Sequence, residues 1–566
     1  MRRPPDLIFG VDDKPPLTTT LFNGCQHVGV IAINLIYPLV LFKLAGTSVA
    51  ATVELLSVGL LVLGIGTFLQ SARRSPVGSG YMCPSTFTAT YVSASIVAVR
   101  LGGLPLLFGM TMFAGVIEAL VSRTLSRLRA FLPTELSGMV VFMIGITAGI
   151  AGVRTLYGAG AAPITTGEWG VAALTLAVMV ALNVWGKGGA KMLCALIGLV
   201  VGYLAGAAAG LFDTAQVDSL VAAPWIGLPT FSHASLAFDW SIAIPFAVAS
   251  VAAAMKAVGT IAMCQRMNDA DWARPEPRSV ARGVLGDGVI TALSGLVGSV
   301  GTNTSTPSVG IAAATGIASR SVAYATGGIF ISFGFLPKIA ALLAIMPRAV
   351  MASGLLFSAC FILIGGLQVM TSRLLDIRRT ITIGLAIIAG ASVEIFPAIA
   401  ASAPRSLAPL LSSSLAFGTL IGLVLNMIFR LGVKKTVVLN VERDKIEAAA
   451  IGDFLRSSGG KWGARPEIVA RASFGANQLV EAVAENCWQS GILRLEASFD
   501  EFNLDVHATY PGTLMTFPDQ RPTDDEIIDL DDGMRRLAGY MLRHNADRIR
   551  SDTKGESARV WFHFDH

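Results

Sequence analysis

Apolar stretches of about the length a bilayer-crossing helix needs, roughly 20 residues, recur along the first three-quarters of the chain. They lie near residues 20–43, 48–70, 85–99, 104–123, 135–154, 168–186, 192–211, 240–265, 284–299, 307–319, 321–334, 348–366, 379–397 and 413–431. The pattern predicts fourteen spans and an all-α polytopic membrane protein. Beyond residue 440 the long apolar runs stop, and shorter helical and alternating patterns take over.

The third and tenth spans are short, and each begins in broken, polar sequence. The third opens Tyr81-Met82-Cys83-Pro84-Ser85-Thr86-Phe87, the tenth Gly301-Thr302-Asn303-Thr304-Ser305-Thr306-Pro307-Ser308. Ser and Thr cap helices well, and Pro is accepted in a first turn. Each reads as an extended segment feeding a half-helix that starts inside the membrane. Spans three and ten are equivalent in a seven-plus-seven inverted repeat. Transporters built that way place their site where matching helices are interrupted. Half-helix N-termini offer free N–H groups to a ligand.

Charge sets the orientation. Basic residues gather in alternate gaps: Arg73 and Arg74; Arg123, Arg127 and Arg129; Lys187 and Lys191; Arg266, Arg274, Arg278 and Arg282; Arg320; Arg373, Arg378 and Arg379; Arg430, Lys434 and Lys435. The 212–239 connection has no Lys or Arg. The positive-inside rule then puts both termini in the cytoplasm of a multi-pass plasma (inner) membrane protein. Residues 441–566 hold 15 basic and 22 acidic residues against 28 and 16 in the rest, so a basic body carries an acidic tail. The first twenty residues are polar and Pro-rich and do not read as a cleavable signal.

Composition agrees. Of 566 residues 53% are hydrophobic and 14% charged, and mean hydropathy is +0.63. This argues against a disulfide scaffold, a disordered regulator and a cytosolic enzyme. Six scattered cysteines without a CxxC pair read as buried fillers, and no metal site is expected.

Ionisable residues inside spans are costly and usually functional. Lys256 lies midway in its span, where it could bind an anion, pair with a carboxylate, titrate neutral or snorkel to an interface. His27, beside Gln26, could relay protons or be structural. Glu54 and Glu118 read as interhelical hydrogen-bonding groups, with Asp287 and Glu394 as further candidates.

At these residues the chain resembles the nucleobase–ascorbate transporters, or xanthine/uracil permeases, over about residues 15–435. Gln26-His27 matches the family's Gln-His pair. The tenth-span signature stands as Pro307-Ser308-Val309-Gly310 through Thr315-Gly316, followed by Ser319-Arg320. Gly286-Asp287-Gly288 matches the ninth span, and Phe87 matches the Phe of the third half-helix. Two departures stand out. Lys256 occupies the place of the family's eighth-span Glu, three residues before Gly259, and Ser308 replaces an Asn. The resemblance implies a transporter domain at 20–433 after an N-terminal segment at 1–19. A core (about 20–123 and 240–334) would move in elevator fashion against a gate (about 134–211 and 348–431) within a homodimer. It implies a substrate site of Phe87, Lys256, Thr260, Thr306, Pro307 and Ser308, with Gln26, His27, Asp287 and Gly310 shaping the site or coupling transport to an ion. Phe87 would stack on a planar ring. Lys256 and two half-helix N-termini, with no acidic lining, favour an anion such as urate or xanthinate over uracil. The coupling ion, proton or sodium, stays open, and no cofactor and no nucleic-acid partner are expected.

The tail, 441–566, reads as a small α+β domain. Thr436–Val441 is a linker or short strand. A helix covers 442–456, broken by Gly459-Gly460, and a second covers Ala464–Trp488. Strands Ile492–Ser498 and Asn503–Thr509 turn at Asp500-Glu501. A loop from Pro511 to Asp532 precedes a helix over 533–545 and a strand over Ala558–Phe564. The order resembles the ATP-binding domain of histidine kinases and anti-sigma factors. Glu485 and Asn486 match its magnesium-binding box, but Ala482 stands where that box has Glu, and Tyr510–Leu514 lacks the next box's Asp and second Gly. The resemblance implies a degenerate module that regulates or dimerises, without ATP or magnesium. The reading is a secondary transporter of a purine-type base and no enzyme. The alternatives are a ligand-sensing receptor signalling through the tail, and an anion transporter of the related sulfate-permease type.

Overall fold

The computed structural model describes the chain except residues 1–2, 6, 74, 129–133, 158–163, 232, 273–274, 372–374, 376, 397, 405–407, 430–434, 444–447, 463, 465, 501–502, 523–532, 555–556 and 566. Arg74, Arg129, Arg274, Arg373, Arg430, Lys434 and Glu501 lie outside the described residues, as does the loop segment 523–532. The chain divides into two compact units, Met1–Asn426 and Met427–His566.

The first unit is helical. Its elements are α1 (Leu17–Ala32), α2 (Ile36–Leu44), α3 (Val49–Ser71), β1 (Ser85–Phe87), α4 (Val92–Leu128), α5 (Thr134–Tyr157), α6 (Thr166–Trp185), α7 (Cys194–Ala208), α8 (Thr214–Ala222) and α9 (Ala243–Asn268). There follow α10 (Pro277–Leu296), β2 (Thr302–Thr304), α11 (Thr306–Thr315), α12 (Arg320–Gly334), α13 (Pro337–Ala344), α14 (Arg348–Met370), α15 (Ile377–Ile395) and α16 (Ser414–Phe429). Among the described residues, seven helices are long and apolar enough to cross a membrane, or eight if the bent pair α12–α13 counts as one span. The unit is therefore a polytopic helical membrane body.

Local chemistry sets several helix ends. Ser48 caps α3 by accepting from the Ala51 amide. Thr165 and Glu168 form a capping box at α6, and Glu168 also accepts two N–H bonds from Arg348 at 2.5 and 2.8 Å, tying α6 to α14. Without a hydrophobic force between helices in lipid, close packing needs small residues. In α4 and α10, a Cβ on Gly115 would lie 2.1 Å from the Ala292 amide, and one on Gly288 2.5 Å from that of Ala119. In α5 and α14, Gly138 abuts the backbone of Met370 in the same way, and Gly366 that of Phe142.

Spans three and four, expected as separate runs at 85–99 and 104–123, are two helices that meet at a kink inside α4. The kink falls where Gly102 and Gly103 leave helical geometry, Gly103 with φ of 67°. The 212–239 connection contains α8.

The second unit is an antiparallel five-stranded sheet with helices: β3 (Lys435–Glu442), α17 (Ala448–Trp462), α18 (Pro466–Asn486), β4 (Ile492–Phe499), β5 (Asn503–Pro511), α19 (Gly533–Asn545), β6 (Arg548–Lys554) and β7 (Ser557–Asp565). Strand order is β3-β4-β5-β7-β6. Ala472, Ala476, Leu479 and Val483 make the buried stripe of α18, and the sheet buries Leu495, Val506, Val560 and Phe562. One open alternative is settled and two expectations are corrected. Residues 435–442 are a full strand, because Val437, Leu439 and Val441 alternate and pair with β4. Gly459-Gly460 does not break α17: a Cβ on Gly459 would meet Val469 Cγ2 at 2.5 Å, so glycine serves close packing of α17 on α18. Strand β6 was not expected, because Arg-Ile-Arg-Ser-Asp-Thr-Lys is polar. As an edge strand it pairs only with β7 and need not be apolar.

Candidate substrate site

The centre of the first unit is a crossing of two short strands. β1 and β2 pair antiparallel, Ser85 with Thr304, Thr86 with Asn303 and Phe87 with Thr302. The ladder extends through Ser305 N–H to Pro84 O at 2.8 Å and Thr88 N–H to Gly301 O at 3.4 Å. All six strand residues are buried, and only Phe87 is apolar. Extended backbone among apolar helices must be satisfied by protein, and here each strand satisfies the other. The crossing feeds a 3-10 turn, Ala89–Tyr91, into α4 on one side and α11 on the other. Ser305 caps α11, accepting from the Ser308 amide at 3.4 Å.

Side chains of α3, α4 and α10 and a backbone carbonyl of α9 hold the crossing. Asp287 of α10 accepts from Gln70 Nε2 of α3 at 2.8 Å and from the Thr304 amide at 3.1 Å. Thr291 Oγ1 donates to Thr302 O at 3.0 Å. Thr67 Oγ1 accepts from the Ser85 amide at 3.0 Å. Asn303 Nδ2 donates to Ala253 O of α9 at 3.0 Å and lies 3.5 Å from Glu118 Oε1. Glu118 Oε2 accepts from the Tyr91 hydroxyl at 2.8 Å.

Lys256 is half-buried on α9, with Nζ 3.4 Å from Thr88 Oγ1, just past β1. One turn on, Thr260 Oγ1 lies 2.7 Å from Thr306 Oγ1, joining α9 to the start of α11. Ser308 is buried, its hydroxyl 2.8 Å from that of Ser305. Pro307 and Gly310 are exposed, as is Gly259, and a Cβ on either glycine would meet nothing within 4 Å. Lys256 with Gly259, and Pro307 with Gly310, are spaced three apart, so each pair shares a helix face. Phe87 is fully buried, with its ring edge against Gly59 of α3. Lys256, Thr260, Thr306 and Ser308 therefore come together where α9 meets the start of α11.

The remaining candidates are placed differently. Gln26 and His27 are buried on α1, which packs on α11 and α12, and His27 Nδ1 has no hydrogen-bond partner among the described residues. Glu54, at the start of α3, pairs with His233 Nε2 at 2.6 Å and accepts from Thr230 at 2.9 Å. Glu394 meets Arg154 at 2.8 Å. Glu485 is exposed at the end of α18, and the Asn486 side chain lies outside the described residues. Beside them, Cys487 O accepts from the Thr513 amide at 3.0 Å, so the Gly512 loop is fastened to that helix end.

The expectation of a site without carboxylates needs refinement. Asp287 and Glu118 are both buried, and both act electrostatically on Lys256. Sequence reading overlooked Thr88, Gln70, Tyr91 and Asn303. A Gln at the end of an apolar span, and an Asn within a run of Thr, were the available signals.

A permease family model, that of the xanthine/uracil permeases, matches residues 18–399. The chain belongs to this family. The putative purine permease CPE0397 of Clostridium perfringens is 30% identical over 432 residues, 75% of this chain and 93% of that protein. The xanthine permease XanP of Escherichia coli is 26% identical over 441 residues, 75% and 95% of the two chains. The nucleobase transporter PlUacP of Paenibacillus larvae is 26% identical over 434 residues, 75% and 98%. The protein is thus a multi-pass membrane transporter rather than an enzyme. In this permease the family match ends before the tail unit begins.

Proposed function

We propose that this permease is a secondary active transporter of a planar heterocycle, a purine-type base such as xanthine or urate, across the plasma (inner) membrane. The observation that carries the reading is the meeting of Lys256, Thr260, Thr306 and Ser308 beside a buried strand crossing. The names of its relatives, which include purine and xanthine permeases, point to the same substrate class.

A cation on the binding face favours an anionic ligand, because a charge-assisted hydrogen bond is about twice as strong as a neutral one. Urate or the xanthine monoanion therefore fits better than uracil. In this reading Phe87, Lys256, Thr260, Thr306, Pro307 and Ser308 form the site, and Gln26, His27, Asp287 and Gly310 shape it. Fourteen spans in a seven-plus-seven inverted repeat form core and gate domains, and the core carries substrate past the gate of a homodimer, elevator-fashion. Both termini face the cytoplasm, and the tail regulates or dimerises.

Uptake of radiolabelled xanthine, urate and uracil into membrane vesicles tests the reading. Uptake of urate or xanthine, outcompeting uracil, is the expected result. Uptake of uracil with a steep proton dependence, and of neither purine, overturns it.

A further inference from the structure

Two buried carboxylates stand behind Lys256, and their hydrogen-bond partners differ in kind. Asp287 accepts N–H bonds on both oxygens, from Gln70 and from the Thr304 backbone. An amide N–H cannot reverse its role, so neither bond can turn to accept a proton carried by Asp287. Glu118 has the Tyr91 hydroxyl as its close partner. A hydroxyl donates or accepts, so Tyr91 can hold Glu118 with or without a proton. The charged and titratable groups facing Glu118 are Asp287 of α10, Tyr91 at the head of α4 and Lys256 of α9. Asn303 links Glu118 to the Ala253 carbonyl, one turn before Lys256.

We propose that Glu118 is the coupling carboxylate of this permease, taking up one proton with each substrate monoanion that reaches Lys256 and releasing it when the anion leaves. The inference rests on the anion reading above. Bringing a negative charge to a cluster of one lysine and two carboxylates makes its net charge more negative, which a low-dielectric interior penalises by several kcal/mol per ion. A proton arriving on Glu118 leaves the net charge as it was. The proton enters from the side on which the site is open, rests on a Glu118 oxygen and leaves on the opposite side with the anion. No other bond changes.

The test uses the full chain in proteoliposomes with labelled xanthine and urate. Exchange without a gradient reports binding and movement, and accumulation driven by an imposed pH gradient reports coupling. In the wild type both proceed. Glu118→Gln keeps exchange and loses gradient-driven accumulation by on the order of tenfold or more, the equivalent of at least one pK unit of linkage. Tyr91→Phe, which keeps the ring, shifts the pH midpoint of uptake, whereas a purely structural role would change the rate and leave the midpoint in place. Glu118→Gln that accumulates like wild type overturns the proposal. So does a wild type that exchanges substrate yet never responds to the gradient. If Glu118→Gln fails to fold, an unchanged midpoint in Tyr91→Phe overturns it. A wild type that exchanges neither purine instead overturns the substrate reading.

Discussion

The molecule contains antiparallel strands in two places, and they are held by opposite means. In the tail, β3, β4, β5 and β7 alternate, and burial of residues such as Leu495, Val506 and Phe562 drives the sheet. In the membrane body, β1 and β2 are three residues each and nearly all polar, with no apolar face to bury. Their fixation comes from Asp287, Gln70, Thr67, Thr291 and Asn303. Where the surroundings are already apolar, hydrophobicity cannot choose a position, and hydrogen-bond partners must.

That contrast can be broken by substitution. Asp287→Ala leaves Gln70 Nε2 with only the Gly283 carbonyl and the Thr304 amide with no acceptor. The expected cost is about 3–5 kcal/mol, typical of breaking a buried charged contact, with loss of transport. Thermal unfolding in detergent and vesicle uptake measure it, and a stable, active variant would mean that the crossing needs no such anchor. In the tail, Leu495→Ala should cost about 2–5 kcal/mol by opening a cavity. Limited proteolysis of the full chain should then cut preferentially in the tail, and uniform resistance would count against an apolar drive there. Lys256→Gln should leave stability unchanged and weaken an anionic substrate by about 1.5–3 kcal/mol, on the order of 10- to 100-fold. Equilibrium binding to purified protein reads this out, and equal affinity would remove Lys256 from recognition. The smallest effect is Gly459→Ala, where the new methyl meets Val469. Crowding costs about 1–3 kcal/mol, and the better helix propensity of Ala returns up to about 1. A small fall in the tail's unfolding temperature is expected, and a rise would show that α17 and α18 can separate freely.

The apolar spans were legible because each residue's preference for lipid is its own property. The two polar breaks were legible as extended segments feeding helices for the same local reason, through Pro84, Ser305 and Pro307. That they pair with each other was not, since Ser85 and Thr304 are distant in sequence and neither strand alternates. The neighbours of Lys256 were hidden likewise. Nothing near Glu118 in the chain announces Asn303 or Lys256. The two runs either side of Gly102-Gly103 were legible as separate, with Arg100 in the gap, and the structure keeps them as two helices across a kink. In the tail β4 and β5 were plain from alternation, whereas β6 borrows its order from β7.

The register of the crossing has a mechanical consequence. Side chains alternate along a strand, so a slip of one residue would turn Asn303 away from Ala253 and Glu118. A slip of two would leave almost no ladder. The crossing therefore has no small gear to shift into, and β1 and β2 behave as a rivet. The beginnings of α4 and α11 travel together as one stiff part, and whatever displacement accompanies transport must be taken up elsewhere in the body.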